Sequence, residues 1–433
     1  MLSLHLYQLL YAALFVSRSF DISIAIYTPD FRPRPPSLPQ RLHSTVTMLR
    51  PLVALLSVLG LTSAASVDLS KRQSTACNNS PDLCSRPYNQ VLHLGAHDSP
   101  FRRDKSTGFS TSGNQYYNST VQLNAGVRLL SAQVHKSNGA WHLCHSSCDL
   151  LDAGTLSDWL EEVKAWMDKN TNDVVTILLV NSDDATVGDL DQQFTTSGIN
   201  SLAYKPASST TPPTTWPTLQ ELITAGTRLM VFVASLNPAS IPTSQSYIMD
   251  EFTFIFENKF DNTAVTDFSC LPERPSGVGG NIQAALSSNR MAFMNHFLYD
   301  QGLFDIQTPA IDNITTTNSP GQSVGNLGFA LNSCQTAYGR APTFTLVDFF
   351  DEGPAINAVD AINGITPVGR TALPPRDKQD SSSNSDADSF QGVLDLNGDV
   401  KDGSQPKLGA WIWAAGKWTF GGINLSGGNL ISK

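Results

Sequence analysis

Residues 155–181, TLSDWLEEVKAWMDKNTNDVVTILLVN, decide the fold class. Between 156 and 167 the residues Leu156, Trp159, Leu160, Val163, Trp166 and Met167 recur at helical spacing, with Ser157 and Asp158 in the first turn and Asn170 near the end. After a polar turn, the run VVTILLV at 174–180 is apolar on both faces, as a strand in a doubly covered parallel sheet is. A helix feeding a doubly buried strand is the repeating half of a parallel α/β fold.

The same alternation extends outward in both directions. Residues 90–94, 125–134, 141–144, 228–233, 291–295 and 344–349 read as further strands, and 218–225 and 355–362 as further helices. One long domain of this kind predicts a parallel α/β architecture. Composition does not distinguish a barrel from an open sheet.

The chain has 433 residues, enough for one large domain plus a tail. Its 28 basic and 38 acidic residues give a net charge of −10 with no basic tract, which argues against a nucleic-acid partner and against simple attraction to an anionic bilayer. At the N-terminus, Met48 begins a secretory signal pattern: Arg50, then an apolar run at 52–61, then the small residues Thr62, Ser63, Ala64 and Ala65. Residues 1–47 then read as a non-native or alternative extension, the other reading being a signal that starts at Met1. The Lys71-Arg72 pair resembles a dibasic processing point, so 48–72 is expected to be signal peptide and short pro-segment and the mature chain to be secreted. The apolar run at 9–16 is shorter than the roughly 20 residues a membrane span needs.

All six cysteines lie beyond this leader, and an even number in a secreted chain favours disulfides. Proximity pairs Cys77 with Cys84 and Cys144 with Cys148, leaving Cys270 with Cys334. The spacings lack the two C-x-x-C knuckles of a zinc site. Sequons at Asn78, Asn118, Asn313 and Asn424 agree with a secretory route.

The polar, low-complexity stretch PPRDKQDSSSNSDADS at 374–389 reads as a flexible boundary. The segment 395–403, DLNGDVKDG, resembles a calcium loop, but its glycine is displaced and no glutamate closes it. The Trp/Gly-rich segment 408–428 reads as a covering strand pair or a surface-binding patch. The expected organisation is therefore an extension at 1–47, a leader at 48–72, one main domain at 73–373, a linker at 374–390 and a C-terminal extension at 391–433.

Chemistry is concentrated where two apolar strands end, at LGAHDS (94–99) and LCHSSC (143–148). One strand-end histidine is more often structural than catalytic. Two of them, His97 and His145, can divide one acid–base reaction, since neutral imidazole takes a proton and imidazolium returns one near pH 7.

Together, LHLGAHDS (92–99), LNAGVRLLSAQVH (123–135), WHLCHSSC (141–148), the 155–181 stretch and PTFTLVDFFDEGPAINAVDAIN (342–363) resemble the phosphatidylinositol-specific phospholipase C X-domain superfamily, and within it the secreted fungal phospholipase C-like phosphodiesterases. The resemblance runs from about Cys77 to about Gly364. It implies an α/β fold of TIM-type (β/α) barrel, distorted or incompletely closed, with functional side chains at the C-terminal ends of the strands. It also implies phosphoric diester hydrolysis. His97 would be the base that deprotonates the inositol 2-hydroxyl, His145 the acid for the leaving diacylglycerol oxygen, Asp98 a partner orienting His145, and Asp348 a support for His97. A cyclic phosphate would form and then be opened by water with the roles reversed.

One departure stands out. Calcium-dependent members place acidic ligands at the positions of Ser131 and Gln133, and metal-independent bacterial members place an arginine at that of Gln133. This chain has neither, so no metal and no cofactor is expected. Strand alternation puts Ser131, Gln133 and His135 on one face and Arg128 on the other, so Arg128 is no substitute for the missing arginine. His135 and Gln133, with Asn181 from the strand after the helix, are the expected substrate contacts, and Arg102 and Arg103 are a further possible phosphate contact. The expected partner is a phospholipid or inositol phosphodiester, with transient contact to a membrane surface. Two other functions fit less well: a non-catalytic binding protein that has lost its phosphate clamp, and hydrolysis of glycerophosphodiesters or sphingolipids, whose barrels carry metal-binding acids near the first histidine.

Overall fold

The computed structural model describes residues 76–302 and 307–378, and the backbone of two strands at 408–414 and 417–423. The expected leader, the processing point, the calcium-like loop at 395–403 and the Asn424 sequon lie outside the described residues.

The main sheet contains β1 (His93–Ala96), β2 (Leu129–Ser137), β3 (Ala140–Cys144), β4 (Asp152–Thr155), β5 (Val175–Asn181), β6 (Leu229–Ala234), β7 (Ile248–Asp250), β8 (Ile255–Glu257), β9 (Met291–Asn295) and, beyond the small pair β10 (Tyr299–Gln301) and β11 (Gln307–Pro309), β12 (Phe344–Val347). Its path is β7-β6-β5-β2-β1-β12-β9-β8, and every neighbouring pair on it is parallel. Followed around, that is chain order, interrupted only between β7 and β8. Among the described residues these two share no ladder, and the short helix Glu251–Phe254 bridges them. The fold is therefore a distorted α/β barrel of TIM type, open at one seam. β3 and β4 form an antiparallel flap hung from β2.

Both faces of the barrel strands are buried, and alternate residues feed two cores. Leu129, Leu178, Met230, Phe232, Phe293, Phe344 and Leu346 fill the interior. Leu130, Ile177, Leu179, Val231, Val233 and Val347 pack outward with the helix residues Trp159, Leu160 and Val163. At Gly95 an added Cβ would lie 2.6 Å from Leu129 Cδ2 and 2.8 Å from Leu346 Cδ1, so the interior leucines occupy the space a side chain would need.

The helix Leu156–Lys169 forms as its stripe predicts, with Thr155 accepting from the Asp158 N–H as N-cap. Leu219–Ala225 starts on a Thr218/Glu221 capping box. Differences from expectation have local causes. Residues 88–90 are a 3-10 turn, so β1 starts later than read, and Ala125 closes the helix Ser119–Ala125, which ends on Gly126 at φ 112°. Strands β7 and β8 are three residues each, too short for a period to register. The helices Val187–Thr196 and Leu327–Tyr338 were also not read from the sequence.

The disulfides are Cys77–Cys84, Cys144–Cys148 and Cys270–Cys334, as proximity and elimination indicated. Arg128 faces away from the barrel interior, as strand alternation requires. Its guanidinium donates to the carbonyls of Leu123 and Val127 at 2.7 Å, to Asn79 Oδ1 at 2.6 Å and to Asp173 Oδ1 at 2.7 Å, and it lies over the Trp166 ring.

The first residues of the expected linker make contacts with the main domain. Tyr117 donates to the Pro374 carbonyl, and Arg376 pairs with Asp351 and Glu352 while lying over the Tyr116 ring. Within the C-terminal extension, β13 (Leu408–Ala414) and β14 (Lys417–Ile423) form an antiparallel pair. Of the described sequons, Asn118 and Asn313 are exposed, whereas Asn78 is buried and accepts from the Val174 N–H.

Candidate active site

The C-terminal ends of β1, β2 and β12, with the loop that ends the β3 flap, bring the predicted histidines and carboxylates together. His97 follows β1 directly and its N–H extends the ladder to the Val347 carbonyl. Its Nδ1 lies 2.8 Å from Asp348 Oδ1. With Nδ1–H donating to this carboxylate, Nε2 is left free to take a proton. The ring stacks on Phe297, with centroids 3.9 Å apart and planes 5° from parallel.

Two residues absent from the sequence reading complete this corner. Asn114 Nδ2 donates to Asp348 Oδ1 at 2.9 Å. Gln115 Nε2 donates to the His97 carbonyl at 2.8 Å and to the Val347 carbonyl at 3.1 Å, while its Oε1 accepts from the Phe350 N–H. They sit in an irregular loop, where neither periodicity nor spacing marks them.

Asp98 occupies the left-handed region at φ 48°, which aspartate tolerates better than most residues. Its N–H donates to Ser131 Oγ at 2.9 Å, and its Oδ2 accepts from Gln133 Nε2 at 2.7 Å. That same oxygen lies 3.7 Å from Nε2 of His97 and 3.7 Å from Nε2 of His145. Both Asp98 and Asp348 are only 1% exposed.

His145 sits inside the Cys144–Cys148 disulfide loop. Its N–H donates to the Leu151 carbonyl at 3.0 Å, and Phe101 meets its ring edge-on at 5.5 Å between centroids. The next residue, Ser146, stands at φ 57° and donates its N–H to Gln133 Oε1 at 2.9 Å.

The two imidazoles are pushed in opposite directions. Burial pulls His97 down, but the charges of Asp98 and Asp348 outweigh it and hold His97 above the ordinary histidine value. For His145 burial dominates over Asp98 and is reinforced by the charge of His97, so it lies below that value. Of the two, His97 is therefore the more readily protonated.

The remaining expected contacts are placed differently. Asn181 is not joined to the histidine centre: its Oδ1 accepts from the Ala185 N–H at 2.7 Å and its Nδ2 donates to the Ala185 carbonyl, a local turn clamp. His135 approaches Asp183 through Nδ1 at 3.3 Å, and its buried Nε2 has no partner among the described residues. Arg102 pairs with Asp104. Gln133 reaches the centre, with both ends of its amide engaged there. Among the described residues, the grouping with metal-ligand spacing is Cys144, Cys148 and Asp152, whose sulfurs are joined in the disulfide.

A second buried acidic pair was not read from the sequence. Glu257 ends β8, is ion-paired to Arg274, and its charge raises His97. Burial, followed by the charge of Glu257, holds Glu251 well above the usual carboxylate range.

A (β/α) barrel with a histidine pair and supporting carboxylates at its C-terminal mouth is a phosphodiesterase-type scaffold, and comparison with known proteins agrees. The family model for the PI-PLC X domain (PI-PLC X 1) matches residues 83–363. The chain is 36% identical over 297 residues to the PI-PLC X domain-containing protein 1 of Arthroderma benhamiae, covering 68% of this chain and 91% of the relative. It is 34% identical over 301 residues to an uncharacterized secreted protein of the same organism, covering 68% of this chain and 65% of that relative's length. The chain belongs to the PI-PLC X-domain family. Among solved structures, the phosphatidylinositol-specific phospholipase C of Listeria monocytogenes aligns with TM-score 0.44 at 16% identity, covering 65% of this chain and 96% of that one. A Staphylococcus aureus phosphatidylinositol-specific phospholipase C aligns with TM-score 0.45 at 11% identity, covering 68% of this chain and 99% of that one.

Proposed function

We propose that the protein is a secreted, metal-independent phosphodiesterase acting on a phospholipid or inositol phosphodiester by His97/His145 acid–base catalysis. The observation that carries this reading is the single carboxylate oxygen, Asp98 Oδ2, 3.7 Å from Nε2 of each imidazole. A substrate hydroxyl adjacent to the phosphate gives its proton to His97 Nε2 and attacks phosphorus. The bond to the departing alcohol breaks as His145 delivers a proton to that oxygen. The product is a cyclic phosphate, which water opens when His145 acts as base and His97 as acid. The nucleophile belongs to the substrate, so the protein's task is to orient two imidazoles and accept the phosphate charge.

Secretion is supported by the signal pattern after Met48 and by likeness to a relative described as secreted. Metal independence is supported by the neutral side chains of Ser131 and Gln133, both engaged with Asp98. Contact with a lipid surface is supported by exposed apolar residues on loops beyond β8 and β9, notably Leu271 at 52% and Val324 at 60%. A Leu271→Lys, Val324→Lys double variant should sediment less with phosphatidylinositol vesicles while keeping its turnover of a soluble phosphodiester. Unchanged sedimentation would remove this surface from the account.

The pH profile follows from the opposed shifts. The active free form needs His97 neutral and His145 protonated, whereas the opposed shifts favour the reverse, so only a minor fraction is correctly protonated at any pH. The acid limb of kcat/KM belongs to the lower, His145-dominated ionisation and the alkaline limb to the higher, His97-dominated one. The bell should therefore be broader than two ordinary histidines give, with limbs on either side of about 6.5, and should be unchanged by a chelator. A single sigmoidal limb, or loss of activity on chelation, would defeat this mechanism.

One observation favours the non-catalytic alternative. No lysine or arginine is a hydrogen-bond or ion-pair partner of His97, Asp98, His145 or Asp348 among the described residues. A folded protein that binds a phosphodiester and never turns it over would establish that alternative.

A further inference from the structure

We propose that Gln133 is a positioning residue that locks the two imidazoles into one unit, rather than a ligand for substrate. This role rests on the phosphodiesterase reading above. The orientation of its amide follows from its partners: the Ser146 backbone N–H can only donate, so Oε1 faces it at 2.9 Å, and Nε2 then faces Asp98 Oδ2 at 2.7 Å. Both ends are thereby committed to protein groups, and each group belongs to a loop that carries a histidine.

The Asp98 oxygen that Gln133 holds is the one equidistant from both imidazoles, so the strut fixes the pivot of the site. The other bond fixes Ser146 in the left-handed region, where a non-glycine residue needs support, directly after His145. His145 is thus held covalently by the Cys144–Cys148 loop and non-covalently by Gln133. Ser131, two residues earlier on the same face of β2, takes the Asp98 N–H on its Oγ, and its carbonyl accepts from Ser99 at 2.7 Å. One face of β2 therefore holds the loops of both histidines in register.

Two substitutions test this. Gln133→Met keeps the length and removes both bonds. Gln133→Glu keeps the shape: a neutral carboxyl can donate to Asp98 and accept from Ser146, whereas the ionised form can only accept and sets a second anion against Asp98. We would measure kcat and KM across pH for both variants, together with the imidazole titrations by NMR.

Gln133→Met should lower kcat by about 100-fold with KM nearly unchanged, the scale of a misplaced catalytic group. Gln133→Glu should approach wild-type kcat at acidic pH and lose it as the shared proton leaves the carboxyl pair, with both imidazole midpoints rising as it does so. An unchanged kcat with a KM raised tenfold or more in Gln133→Met would make Gln133 a substrate ligand and overturn the proposal. If the wild type turns over no phosphodiester, the functional reading fails separately. The titrations still decide the strut, because imidazole midpoints unmoved in both variants would overturn it alone. Should Gln133→Met not fold, the pH dependence of Gln133→Glu carries the decision.

Discussion

Replacing His97 with alanine should lower phosphodiester turnover by about 10²–10⁴-fold, and replacing His145 should do the same, each without unfolding the protein. In the proposed mechanism each imidazole handles one proton of a single sequence, and Asp98 Oδ2 lies 3.7 Å from the Nε2 atom of both. Residues that act as such a unit are not additive, so the double variant should be little slower than either single one. His145 lies in a loop closed by its own disulfide, so its removal leaves the backbone there constrained. His97 stacks on Phe297 at the barrel mouth, so some local loosening is expected with the main sheet intact. Steady-state rates with circular dichroism as a folding control check both statements. A fully active single variant would remove the roles assigned.

The largest expected effect on stability belongs to a residue outside the site. Arg128→Met should cost about 3–5 kcal/mol, the range for breaking a buried ion pair from one side. Arg128 is 4% exposed and ties Asp173 to Asn79 and to the carbonyls of Leu123 and Val127. Its loss removes a donor from the Asp173 carboxylate and from two carbonyls near the base of β2 and β5, of which that of Leu123 keeps the Gly126 N–H, while the methionine keeps most of the apolar contact with Trp166. The denaturant midpoint of the oxidised protein measures the effect. A midpoint equal to wild type would show that these groups find water instead, and that Arg128 is not a structural tie.

The barrel was legible where strands are long and doubly buried, as at Val175–Asn181 and Leu229–Ala234, and its closure and topology came only with the family resemblance. It was illegible where elements are too short to carry a period, as at Ile248–Asp250 and Ile255–Glu257, which flank the open seam. Asp348 was expected beside His97 and, from the family resemblance, Asp98 beside His145; that Asp98 Oδ2 stands equally near both imidazoles came only with the geometry. Asn114 and Gln115 were not, because they act through amides in an irregular loop. For Asn181, the position at a strand end says nothing about whether its amide is engaged by the turn beyond, as it is by Ala185. For Gln133, the residue type showed what was missing from the site, and only the geometry revealed what the amide does instead.

In the proposed mechanism the two imidazoles, with no metal, convert a phosphodiester through a cyclic intermediate. The mechanism is tested directly by phosphorus NMR of the purified protein incubated with phosphatidylinositol in excess chelator. The His97/His145 mechanism predicts a cyclic 1,2-phosphate signal that grows first and then yields to the monoester, and neither signal in His97→Ala. No new phosphorus signal from folded, ligand-binding protein, or a monoester formed without the cyclic species, would contradict it.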